Sequence, residues 1–79
     1  MTYDEWADEY LKSAEVAMEQ IEKYRLKMRS CKNTQLLYFY SGKLQKLEEM
    51  YAHCMYTARI LRLKAAKLRE RGLQNLVVV

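Results

Sequence analysis

The chain has no proline and only two glycines, Gly42 and Gly72, in 79 residues. Nothing rigid breaks a helix, and the turn-rich composition of small β-proteins is missing. Two cysteines, Cys31 and Cys54, are too few for a disulfide framework. With one histidine, His53, they also fall short of the four protein ligands of a closed zinc site. No run approaches the ~18 apolar residues of a membrane span. The acidic opening "MTYDEWADEY" has neither the basic start nor the apolar middle of a secretory signal. A cytoplasmic protein with reduced thiols is the expectation.

What is abundant is Leu, Ala, Glu, Lys, Arg, Met and Gln, the residues that lose least in a helix. They predict an all-α chain. At this length the chain forms one small domain, which buries only about 60% of its unfolded surface. A core that small needs outside support, and without disulfides or metal the support left is a partner chain.

Apolar or small residues recur at Tyr3, Ala7, Tyr10, Ala14, Ala17, Ile21, Tyr24, Met28 and Cys31. The steps alternate four and three, which makes a heptad seam. Thr2 and Glu5 form a T-x-x-E capping box at its start. A second seam runs through Leu37, Tyr40, Leu44, Leu47, Tyr51, Cys54, Ala58, Leu61, Ala65 and Leu68. Arg69, Arg71 and Gly72 then read as a helix stop.

The two seams are out of phase by two residues. Neither a four-residue stutter nor a three-residue stammer accounts for that. The polar stretch "SCKNT", 30–34, lies between them, and Asn33 or Thr34 can cap a new helix. The phases therefore predict helix 1 over about 3–30, a turn over about 31–34, helix 2 over about 35–71 and a tail over 72–79. The architecture is an antiparallel, coiled-coil-like two-helix hairpin. The turn lacks Gly and Pro, so one continuous helix in a swapped dimer stays open as an alternative.

Folding the chain near residue 32 sets Tyr24 opposite Tyr40 and Ala7 opposite Ala58. It also lays the acidic start of the chain, Asp4, Glu5, Asp8 and Glu9, beside Arg59, Arg62 and Lys64. Helix 2 is the longer, at roughly 55 Å for a rise of 1.5 Å per residue. It is expected to overhang from about Leu63 with its seam uncovered. Large apolar residues also lie off the seams, among them Trp6, Leu11, Met18, Met50, Tyr56, Ile60 and Leu63. A two-helix hairpin cannot hide them all. The simplest solution is a homodimer forming a four-helix bundle.

The stretch "EMYAHCMYTAR", 49–59, sets the only His beside a Cys. Neighbours on a helix point about 100° apart, so they do not share a face. Cys54 belongs to the seam as a small apolar residue. His53 belongs to a weaker stripe beside it, with Met50 and Thr57. A metal shared between two chains by His53 and Glu49 is the weaker reading, because no second His follows at helical spacing.

The charge of +4 is unevenly spread. Residues 25–47 carry six bases and no acid, and residues 58–79 carry six bases and one acid, Glu70. No zinc finger, helix-turn-helix, Gly-rich phosphate loop, paired-carboxylate site or nucleophile–base array accompanies these runs.

"MTYDEWADEY" and "YAHCMYTARIL" resemble short uncharacterised helical proteins of Gram-positive bacterial genomes and prophages. The resemblance implies no activity and no functional residue. The function expected is a self-associating interaction or adaptor module, not an enzyme, with an interface of Trp6, Met50, His53, Tyr56, Ile60 and Leu63. The alternative is a small basic nucleic-acid-binding accessory protein of phage or mobile-element type. It would use Arg25, Arg29, Lys32, Arg59, Arg62 and Lys64. An acidic protein is a further candidate partner. No cofactor, metal or small-molecule substrate is expected.

Overall fold

A computed structural model of the chain describes residues 1–72. The expected tail lies outside these residues, apart from Gly72. Two helices, α1 (Tyr3–Ser30) and α2 (Thr34–Glu70), pack antiparallel along their length. The described residues contain no strand. The fold is the all-α helical hairpin that the two seams predict. It is a thin rod, 58 by 18 by 13 Å.

Both helix starts are capped as the local sequence dictates. The Glu5 N–H donates to Thr2 Oγ1 at 3.1 Å. The Thr2 hydroxyl in turn lies 3.3 Å from the Glu5 carboxylate. Asn33 caps α2 by accepting the N–H groups of Gln35 and Leu36 at 2.9 and 3.2 Å. Thr34 is already the first residue of the helix. Each cap satisfies backbone donors that the first turn leaves without partners.

The reversal takes three residues, 31–33, with extended backbone at Cys31 and Asn33. Among the described residues, none other than glycine has a positive φ. That explains how the turn dispenses with Gly, and the continuous-helix alternative is set aside. At the far end Gly72 takes φ +72°, the left-handed turn that commonly follows a helix.

No seam residue of either helix is exposed. Ala7, Ala14, Ala17, Ile21, Cys54, Ala58, Leu61 and Ala65 are buried. Most of these are alanines along the α1–α2 contact line, which lets the backbones approach. Ile21 is the largest fully buried side chain. Tyr3, Trp6, Tyr10 and Leu11 close over the Ala7, Ala58 and Leu61 cluster. Tyr24 meets Tyr40 with ring centroids 5.7 Å apart.

The expected bare overhang is not found. Ala65 is fully buried and Leu68 half-buried. The reason is side-chain reach: Lys64 lies over the Tyr3 ring, and Arg69 donates to Asp4 at 3.0 Å. The first turn of α1 is thereby joined to the last turn of α2.

Candidate interaction surface

Two edges flank the seam, and they differ in chemistry. One edge is made by residues that directly follow seam positions on both helices. In an antiparallel pair these positions face each other. Here Arg69 meets Asp4 at 3.0 Å, Arg62 meets Asp8 at 3.1 Å and Arg25 meets Glu48 at 3.4 Å. All six side chains are about half exposed or more, so each pair contributes roughly 0–1 kcal/mol. They fix direction and register more than stability.

Between the ion pairs the same edge mixes apolar and charged side chains. Leu11, Met55, Tyr56, Arg59, Arg62 and Leu63 line an open groove of about 530 Å³. Met55, Tyr56 and Leu63 are exposed large apolar side chains there. Nearer the turn, Glu22, Arg25, Leu26 and Arg29 line a shallower one of about 290 Å³.

The second edge is built of rings and cations. Trp6 packs on Tyr10, and Tyr10 meets His53 edge-on, with centroids 6.5 and 6.4 Å apart. Lys27 lies over both Tyr24 and Tyr40, and Lys43 over Phe39. Cations on ring faces gain electrostatically while staying wet.

The six residues expected at an interface are therefore not one patch. Tyr56 and Leu63 belong to the groove. His53 belongs to the ring edge with Tyr10 and Trp6. Trp6 and Ile60 are half-buried, with Trp6 packed on the core cluster. Met50 is exposed. Leu11 and Met55 were not among the expected contacts. Their signal was present, since each directly follows a seam residue (Tyr10 and Cys54) on an edge that the antiparallel fold brings together.

The basic set is also rearranged. Arg25 is matched by Glu48 from across the hairpin, so the turn end is not free of acid as the linear sequence implied. Arg62 is held by Asp8, and Lys64 lies over Tyr3. Arg69, rather than Arg59 or Lys64, completes the open end. Arg29, Lys32 and Arg59 are exposed and form no ion pair among the described residues.

Cys54 is buried in the seam, and Cys31 sits at the turn, where its Sγ is 3.6 Å from the Asn33 carbonyl oxygen. No polar or charged side chain among the described residues is buried. No three His, Cys, Asp or Glu side chains among them are placed to hold a metal ion. No helix among them is long and apolar enough to cross a membrane. What the surface can offer is apolar contact, rimmed by guanidinium and carboxylate groups. Comparison with protein-family models, with curated proteins and with solved structures finds no match.

Proposed function

We propose that the chain is a small self-associating helical hairpin that acts as a protein–protein interaction module, two copies packing as a four-helix bundle. One observation carries this reading. The seam is already filled, yet Met55, Tyr56 and Leu63 stay 40–66% exposed along one edge of α2. Apolar surface of that extent on a rod this thin calls for a cover. Light scattering after gel filtration tests it. At micromolar concentration the expected mass is twice that of one chain, and a clean monomer sinks the reading.

A second reading, nucleic-acid binding, draws on Arg29, Lys32 and Arg59, exposed cations with no ion pair among the described residues. Neutralised phosphates would make such binding fall steeply with salt. A gel shift with mixed DNA and RNA at low salt is the test, and no shift removes the idea. The carboxylates already bound to Arg25 and Arg62 weigh against it.

A further inference from the structure

At its open end the grooved edge carries charge of both signs sorted by helix, while toward the turn the signs mix, with Arg25 and Arg29 on α1 and Glu48 on α2. On α1, Asp8, Glu15 and Glu22 recur every seven residues and form one stripe. Asp8 pairs with Arg62 of the groove, and Glu22 lines the second groove with Arg25. The stripe therefore runs along this edge. On α2 the same edge carries Arg59, Arg62 and Arg69, with Met55, Tyr56 and Leu63 among them. Glu15, Glu22 and Arg59 have no ion pair among the described residues.

We infer that this face takes a second copy of the chain, with the two-fold axis running along the hairpin, so that α1 of each copy lies on α2 of the other. The inference rests on the self-association reading and adds the face and the symmetry. Groove position and charge decide both. An axis along the rod lays groove on groove and sets Asp8 and Glu15 of α1 in each copy near Arg59 and Arg62 of α2 in its mate, twice over. An axis across the rod stacks α1 on α1 and α2 on α2: passed through the groove it sets these like charges together, and passed through the middle of the rod it lays each groove on the turn half of the other copy. Other occupants fit one half only. A nucleic acid would meet the Asp8, Glu15 and Glu22 stripe, and an acidic peptide would be repelled by it.

Size permits the arrangement. A face 58 by 18 Å can supply the roughly 800 Å² per partner of a standard stable interface. The apolar groove gives such a face its dry centre, and the sorted charges give it a rim. Rim charges of this kind select partner and orientation more than they add affinity.

The test uses the full chain. Tyr56→Glu with Leu63→Glu changes two side chains already 66% and 53% exposed, so the fold is expected to survive, with helicity by circular dichroism as the check. Dimerisation measured by sedimentation is expected to weaken at least tenfold. Met50→Glu, outside the groove, is expected to leave it within about threefold. A benzophenone cross-linker placed at position 56 is expected to link to α1 of the second copy. Links to α2 of that copy would overturn the axis. A dimer that tolerates the double change would overturn the face while leaving self-association intact. A wild-type monomer would remove both.

Discussion

Asn33 holds the bend. Its side chain accepts two backbone donors of the first turn of α2, and it does so at the one place where the chain reverses. Truncation to alanine strands both donors. Asn33→Ala is expected to cost about 1 kcal/mol. In a chain of this size that lowers the melting temperature by about 4–8 °C. Asn33→Asp keeps an acceptor at the cap and adds a negative charge at the positive helix end, so it should hold stability. Thermal melts of the two variants separate the hydrogen-bond effect from a mere change of side chain. Equal losses in both would mean that Asn33 does not act as a cap. The neighbouring Cys31 and the more distant Cys54 illustrate a different residue-scale lesson. Both stand at seam positions, but only Cys54 is buried there, while Cys31 is half-buried at the turn.

At the scale of the helix, the two glycines have opposite roles. Gly42 lies in the interior of α2, and a Cβ there would meet nothing within 4 Å. Gly72 sits at φ +72°, where a side chain is strained whatever the space around it. Gly42→Ala is expected to stabilise by about 0.5–1 kcal/mol, since alanine loses less backbone freedom in a helix. Gly72→Ala is expected to destabilise by about 1 kcal/mol, the cost of forcing an L-residue into the left-handed region. Urea unfolding of both variants checks the signs. If both move the same way, α2 does not end in a left-handed turn at Gly72. The seams themselves were legible in the sequence, because period and phase are properties of one strand of text. Folding near residue 32 predicts Tyr24 against Tyr40 and Ala7 against Ala58, and both pairs are found together. The ion pairs were not legible to the same degree. Arginine reaches about a turn up or down the partner helix, so counting residues offered Arg59, Arg62 and Lys64 as partners, and geometry selected Arg62 and Arg69. The groove was less legible still, because it needs the edges of both helices at once. Leu11 and Met55 look ordinary until the antiparallel register sets them on one edge.

At the scale of the whole molecule the question is what keeps so thin a rod folded. Its buried residues are mostly Ala and Cys, with Ile21 and Leu61 the largest among them. Small side chains release little area from water, at roughly 25 cal/mol for each Å². Against this stands the ordering of about seventy residues, each costing about 1–2 kcal/mol in backbone freedom alone. A core of this kind leaves little margin in one chain, and a second copy on the grooved face would supply the missing apolar contact. Folding and association are then one equilibrium, and stability depends on concentration. Each tenfold rise in protein adds about 1.4 kcal/mol per dimer. For two chains of this length that should raise the melting temperature by roughly 3–5 °C per decade. Melts recorded from about 1 to 100 μM are expected to follow that slope. A melting temperature constant across the range would mean that the hairpin is stable alone, and the exposed groove would then have to be explained without a second copy. The Tyr56→Glu, Leu63→Glu variant sharpens the point. It should lower the melting temperature most at high concentration, where the wild-type dimer is fullest, because it leaves the intrachain seam untouched.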